Sequence, residues 1–188
     1  MKIGFAMCGS FCTFAPAIEQ MSLLRDAEYE LVPIMSFNAS SIDTRFGKAA
    51  DHVAHVESIC DRKIIRTIED AEPLGPKEKL DLLIICPCTG NTLAKLVAGI
   101  TDTPVTMAAK AHLRGDRPLL IALATNDGLS ANLSNLNAMQ KRKSVYFLPM
   151  KQDDPIKKPH SLVSDFERLG EAVAATMRKE QLRPLFIE

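Results

Sequence analysis

The feature that most constrains this chain is a set of short apolar runs that do not alternate with polar residues. Lys2 to Met7, Leu31 to Met35, Leu82 to Cys86, Leu119 to Ala124 and Val145 to Pro149 are apolar almost throughout. A strand with one face in water alternates polar and apolar side chains. A strand buried on both faces does not, and a parallel sheet covered by helices creates that condition. Between the runs lie segments of helical spacing. Pro16 to Ala27 carries Ile18, Met21, Leu24 and Arg25, and Arg45 to Cys60 carries Phe46, Ala49, Val53, Val56 and Ile59 on one face. Thr92 to Gly99 and Ala131 to Lys141 add two more helices, and Leu162 to Glu180 is amphipathic through Leu162, Phe166, Leu169, Val173 and Met177. Alternating strand and helix predicts the α/β class, with an open parallel sheet, right-handed crossovers and helices on both sides, three layers in all.

The remaining segments punctuate this pattern. Lys63 to Thr67 reads as a further short strand, and the two prolines within Glu69 to Lys79 argue against a regular element there. Lys151 to Pro159 reads as a polar loop, and Arg183 to Glu188 as an edge strand or a partner contact. No repeat or linker divides the chain, so residues 1–188 form one predicted domain, long enough to bury a full core. A formal net charge of zero gives no polyanion-binding surface, which argues against nucleic acid. No stretch approaches the roughly 20 apolar residues of a membrane span. The opening apolar run is short and turns directly into a Gly-Ser loop, unlike a secretory signal, so a cytoplasmic protein is expected. An odd count of five cysteines argues against a disulfide framework, and Cys86-Pro87-Cys88 has no second Cys or His pair to complete a metal site.

In an open parallel sheet, ligands bind beyond the carboxyl ends of the strands, so the residues after each run are the candidates. Gly9, Ser10 and Thr13 follow the first. Glycine permits a tight turn, hydroxyls can hydrogen-bond a phosphate, and free N–H groups at the start of the next helix add to that. Ser36-Phe37-Asn38-Ala39-Ser40-Ser41 follows the second run. After the third, Pro87 is expected to stop the strand, and Thr89, Gly90, Asn91 and Thr92 lead into a helix. Thr125-Asn126-Asp127-Gly128 follows the fourth. Each turn also has a purely structural reading as a helix cap. Together they offer neutral donors and helix N-termini without a basic cluster, which suits a phosphate monoester and a uracil-like ring. There is no G-x-G-x-x-G dinucleotide fingerprint.

The stretch from Pro87 through Thr89-Gly90-Asn91-Thr92 to Lys95, followed by Gly99-Ile100-Thr101-Asp102, resembles the proline-to-asparagine loop and following helix of the homo-oligomeric flavin-containing cysteine decarboxylase superfamily. The Gly9-Ser10 turn is similar to its phosphate loop, and Ser36 to its second-strand hydroxyl. Further stretches resemble, in order, the B-subunit family of the dipicolinate synthases: Thr44-Arg45-Phe46-Gly47, Ala71 to Lys77, Thr101 to Val105, Ala108 to Arg114, Thr125-Asn126-Asp127, Tyr146 to Pro149, Gln152-Asp153 and Lys157-Lys158-Pro159.

The resemblance implies a Rossmann-like flavoprotein fold, a homo-oligomer, and FMN bound between subunits. It implies oxidation of a dihydro- or hydroxy-tetrahydrodipicolinate to dipicolinic acid in the mother-cell cytoplasm during sporulation. The partner would be the larger A-subunit of dipicolinate synthase, which carries a nicotinamide (NADP) site. On that basis Gly9, Ser10, Thr13, Ser36, Pro87, Thr89, Gly90, Asn91, Thr92, Thr125 and Asn126 are assigned to the flavin. Arg45, Lys110 and Arg114 are assigned to the carboxylates of a small dicarboxylate substrate, which suit cationic side chains. No catalytic acid or base is assigned: His52 and His55 read as mid-helix, and His112 and His160 as structural or solvated. Two other readings stand beside this one. The first is a noncatalytic partner that completes the A-subunit. The second is a flavin-dependent decarboxylase, although the usual methionine-rich clamp motif is absent.

Overall fold

The computed structural model describes residues 1–188. Strands β1 (Lys2–Met7), β2 (Glu30–Met35), β3 (Leu82–Cys88) and β4 (Leu119–Thr125) lie parallel in the order β2-β1-β3-β4. The outer edge of β4 is shared. Its first residues pair with parallel β5 (Val145–Phe147), and its last two pair with antiparallel β7 (Leu162–Ser164), which in turn pairs with β6 (Met150–Lys151).

The unbroken apolar runs are explained by what lies on each face. Ile3, Phe5 and Met7 of β1 and Leu82, Ile84 and Cys86 of β3 point into one core cluster. Ala6, Leu83, Ile85 and Cys88 point into the other. The first core is covered by α1 (Phe14–Asp26), α3 (Ala49–Cys60) and α8 (Leu169–Met177). The second is covered by α5 (Gly90–Ala98), α6 (Pro104–Leu113) and α7 (Leu133–Gln140). Each buried Leu, Ile or Phe side chain contributes about 1.5–3 kcal/mol of transfer free energy, so two such cores specify three layers strongly. Two short helices, α2 (Phe37–Ser41) and α4 (Ile68–Ala71), complete the set. No helix is long and apolar enough to cross a membrane.

Several local readings are corrected. Pro87 does not stop its strand: β3 runs through it to Cys88, and the register against β4 shifts between Ile85 and Cys88. A bulge tolerates a residue that donates no ladder hydrogen bond. The segment Leu162 to Glu180 is not one helix, because Leu162 and Val163 pair with β4, a 3-10 turn spans Phe166–Arg168, and α8 follows. Apolar spacing alone does not separate those states. Helix α3 starts at Ala49, four residues later than its apolar spacing suggests, because Thr44 and Gly47 exchange backbone hydrogen bonds in a tight turn. Asp43 Oδ1 then accepts the Ala49 N–H at 2.8 Å. Helix α6 has no counterpart in the periodicity reading, though Thr103-Pro104-Val105-Thr106 forms a capping box with proline in the first turn.

Each of the sheet's three free margins is met by a local contact. At β2, the Ile65 N–H donates to Pro33 O and Ile65 O accepts from Met35, a single bridge where a strand over Lys63 to Thr67 is expected. At β6, the tail bonds to Met150 through Leu185 O and the Ile187 N–H. At β5, Gln181 reaches in with its side chain. Its Oε1 accepts from Phe147 N at 2.8 Å and its Nε2 donates to Phe147 O at 2.6 Å.

His112, fully buried on α6, sets a pH limit on this core. Its Nε2 lies 2.7 Å from the Pro118 carbonyl, which can only accept, so Nε2 carries the proton of a neutral ring. Burial pulls its pKa from the ordinary 6.5 down to about 4. The folded pKa lies below the unfolded one, so the stabilisation is present above the unfolded value and is lost as pH falls from 6.5 towards about 4. The full loss is on the order of 3 kcal/mol. Urea unfolding should show stability falling across this window, and His112→Gln should flatten that slope while lowering stability at neutral pH.

Candidate functional site

The crossovers from β1 lead to β2 on one side and, by way of β2, to β3 on the other. The β1/β3 boundary is therefore where the connections diverge, and a crevice opens above the strand ends there. The Cys8 N–H donates to Pro87 O at 3.0 Å and joins the two ends beneath the crevice. Pro87 thus supports the site from below. The crevice above is a cleft of about 550 Å³.

One wall is the turn after β1, where Gly9, Ser10 and Thr13 line the cleft. Thr13 Oγ1 donates to Ser10 O at 2.8 Å and closes the 3-10 turn Phe11–Thr13, while the Ser10 side chain makes no cap bond. The second wall is the start of α5. Thr89 caps it by accepting from Thr92 N at 3.2 Å. The Thr89 hydroxyl donates to Thr92 Oγ1, which donates to Cys8 Sγ at 3.2 Å, so these hydroxyls are engaged within the protein. Thr92 is buried below the cleft, whereas Asn91 faces it with an exposed side chain. Gly90 and Asn91 occupy the first two helical positions, whose N–H groups have no intrahelical carbonyl.

The third wall is the end of β4. Thr125 and Asn126 line the cleft. Thr125 Oγ1 donates to Asp127 Oδ1 at 2.6 Å, Asn132 Nδ2 donates to Asp127 Oδ2 at 2.9 Å, and Asn135 Nδ2 donates to Asn132 Oδ1 at 2.9 Å. This network presses on Gly90. A Cβ there would meet Asn132 Nδ2 at 2.5 Å and Thr125 Oγ1 at 2.6 Å.

The cleft opens into an aromatic lobe of about 360 Å³, which shares Phe11, Cys12 and Phe46 with it. Phe14, His52 and His55 line the lobe. His52 packs edge-on to Phe14 at 5.1 Å, and its Nε2 is buried without a hydrogen-bond partner. Because α3 starts at Ala49, His52 stands in the helix's first turn and not at its middle.

Other assigned residues fall elsewhere. Ser36 caps α2, accepting from Ala39 N at 3.2 Å, and does not line the cleft. Arg45 lies in the turn before α3, exposed, stacked 4.8 Å above the Phe46 ring at the rim, and does not begin a helix. Lys110 and Arg114 are not at the cleft at all. They line a separate cavity of about 400 Å³ with Arg142. Helix α6, which the apolar spacing does not reveal, carries Lys110 away from the crevice.

Conversely, Asp153, Lys158 and Ser161 line the cleft. Their segment is legible as a polar loop, but it reaches the site only because β7 folds back onto β4, where Ser161 Oγ donates to Thr125 O at 3.2 Å. All five cysteines are free. Burial pushes the Cys8 thiol up to about 11, and raises those of Cys86 and Cys88 further, so these three pack as neutral thiols.

The chain matches the family described as Flavoprotein over residues 1–177. It is 40% identical over 187 residues to the B-subunit of dipicolinate synthase from Bacillus subtilis (strain 168), covering 100% of this chain and 94% of that protein. The crystal structure of the dipicolinate synthase B-subunit from Bacillus halodurans superposes with a TM-score of 0.91 at 36% identity, over 100% of this chain and 96% of that one. The FMN-dependent cysteine decarboxylase SpaF shares the fold, with a TM-score of 0.70 at 20% identity over 95% and 96% of the two chains.

The crowding at Gly90 gives a direct test. Gly90→Ala should lower unfolding stability by about 1–3 kcal/mol, because Thr125, Asp127 and Asn132 must shift to admit the methyl group. The same denaturation measurement on Gly99→Ala is a poor control, since its φ of 72° is itself strained for alanine. Gly170→Ala, with open space around it, is the better one and should leave stability unchanged or slightly raised.

Proposed function

This chain belongs to the Flavoprotein family and, within it, to the B-subunits of dipicolinate synthase, and on that premise we propose that it binds FMN in the two-lobed cleft and takes part in forming dipicolinic acid during sporulation. The observation that carries the reading is the junction of two chemistries in one crevice. A polar lobe of hydroxyls and α5 N–H groups adjoins an aromatic lobe walled by Phe11, Phe14 and Phe46. The first suits a phosphate and ribityl chain, and the second a planar ring.

Gly9, Ser10 and the leading amides of α5 would hold the phosphate. Asn91 and Asn126, exposed and unengaged, would meet the ribityl chain and ring edge, with Thr13, Thr89 and Thr125 shaping the walls. Ser36, Pro87 and Thr92 act on the site through the caps and strand ends they fix. Bound flavin would supply a two-electron acceptor for oxidising a dihydrodipicolinate, or a hydroxy-tetrahydrodipicolinate that also loses water, a reaction favoured by aromatisation. Arg45 at the rim is the one of the three assigned cations near enough to meet a substrate carboxylate. The larger A-subunit, with its NADP site, would act alongside, in a homo-oligomeric assembly in the mother-cell cytoplasm.

A second reading draws on His52. His52 lines the aromatic lobe and its Nε2 is buried against Gly47 without a partner, so a turn of the ring would offer the acid or base that a flavin-dependent decarboxylation needs.

Titrating the purified chain with FMN, with and without the A-subunit, separates these readings. Saturable binding that shifts the flavin absorbance bands is expected, and Ser10→Ala combined with Asn91→Ala should weaken it roughly tenfold or more. Absence of binding under both conditions would leave the noncatalytic-partner reading. Release of carbon dioxide from the substrate would select the decarboxylase.

A further inference from the structure

Two charged side chains line the cleft, and they are paired with each other. Asp153 and Lys158 both come from the segment between β6 and β7, and they form an ion pair. Every other lining residue is neutral, so the pair leaves the cleft without net charge. The segment carries its own scaffold. Gln152 Nε2 donates to Pro159 O at 3.0 Å, and Asp154 Oδ1 accepts from the N–H groups of Ile156 and Lys157 at 3.2 and 2.9 Å. At its far end, Ser161 Oγ is tied to Thr125 O and Leu129 N–H donates to His160 O at 2.9 Å.

The backbone of the segment is therefore organised without the Asp153–Lys158 pair. The side chains of Lys158 and Asp153 are 52% and 42% exposed, and an ion pair so exposed contributes little to stability. It can open at small cost. Lys158 lines the cleft together with Ser10, Cys12 and Thr13 of the turn after β1. Its pKa is raised first by the Asp153 hydrogen bond, and Cys12 and Asp154 add to that. The turn bearing Cys12 is the one that carries Ser10 and Thr13.

We propose that Lys158 is the side chain that receives the anionic group of the cleft's ligand, and that Asp153 is its built-in competitor. Ligand binding exchanges a carboxylate of the chain for a phosphate or carboxylate of the ligand. This rests on the reading of the cleft as the ligand site, and it supplies the cation that Lys110 and Arg114 do not. It also gives selectivity. A stray anion must displace Asp153 for no other gain, whereas a ligand held by its remaining contacts presents its anion at high effective concentration.

The test uses the full chain as Lys158→Met, Asp153→Asn and the double variant. Binding of FMN, of riboflavin (which lacks the phosphate) and of pyridine-2,6-dicarboxylate is measured by flavin fluorescence and calorimetry, with thermal melts to confirm folding. Lys158→Met should weaken the anion-bearing ligand roughly tenfold, and Asp153→Asn should tighten it severalfold. The double variant should match Lys158→Met alone, because Asp153 acts only through Lys158. An effect on FMN but not on riboflavin identifies phosphate as the source, and an effect confined to the dicarboxylate identifies carboxylate.

If Asp153→Asn weakens binding, or both substitutions change riboflavin as much as FMN, the pair only shapes the segment and the proposal fails. If the native chain binds none of the three, the cofactor reading itself fails. Inorganic phosphate then decides the present point through the NMR shifts of the Lys158 side chain. A saturable shift in Asp153→Asn that is weaker or absent in the native chain supports it, and no shift in Asp153→Asn overturns it.

Discussion

Every residue of β3 is buried, with neighbours on both edges and a core on both faces. A sheet with a core on each face needs helices on both sides, and with right-handed crossovers that requires its connections to diverge at one place, here beside β3. The crevice at the ends of β1 and β3 follows from that divergence and needs no dedicated structure. What the local sequence adds is chemistry at its rim: a glycine turn after β1, a threonine cap after β3, and the Thr125–Asp127–Asn132 network after β4. Gly90 is where these meet, because only a residue without a side chain lets the third wall close on the second.

The sheet is legible because burial on both faces is a compositional property, readable residue by residue. The strand over Leu119 to Ala124 loses nothing to context, and that over Leu82 to Cys86 departs from its pattern only at Pro87. Legibility fails where one local signal serves two structures. Leu162, Phe166 and Leu169 fit a helical face, yet Leu162 belongs to a strand that exists only because β4 offers it an edge. Hydroxyls are harder still. Ser10, Ser36, Thr89 and Thr92 look alike in sequence, but Ser36, Thr89 and Thr92 are engaged by backbone or by one another, and Ser10 keeps its side chain free of the helix cap. No spacing rule distinguishes a hydroxyl with a partner from one without. Lys158 and Asp153 lie in a segment whose composition marks it as polar loop, and their importance depends on where the chain crosses after β6.

The crevice handles charge sparingly. Three cysteines lie at the ends of its supporting strands, all driven towards the neutral thiol by burial. The Asp127 carboxylate behind its third wall is occupied by Thr125 and Asn132. Oriented N–H groups and neutral hydroxyls dominate its walls, and its one charged pair, Asp153 and Lys158, is partly exposed, where the solvent cost of rearranging it is low.

The side chain of Gln181 occupies the place of a neighbouring strand beside Phe147, accepting from its N–H and donating to its carbonyl. A side-chain amide can satisfy one rung of a ladder but cannot present the next. Ile65 serves β2 and the tail serves Met150 in the same local way, one bridge at each margin. These contacts occupy part of each edge and leave less of the sheet free to be lengthened by another copy of this chain. Helix faces and the loops around the crevice are the larger surfaces left, so an assembly built on them would bring a second copy close to the mouth of the cleft.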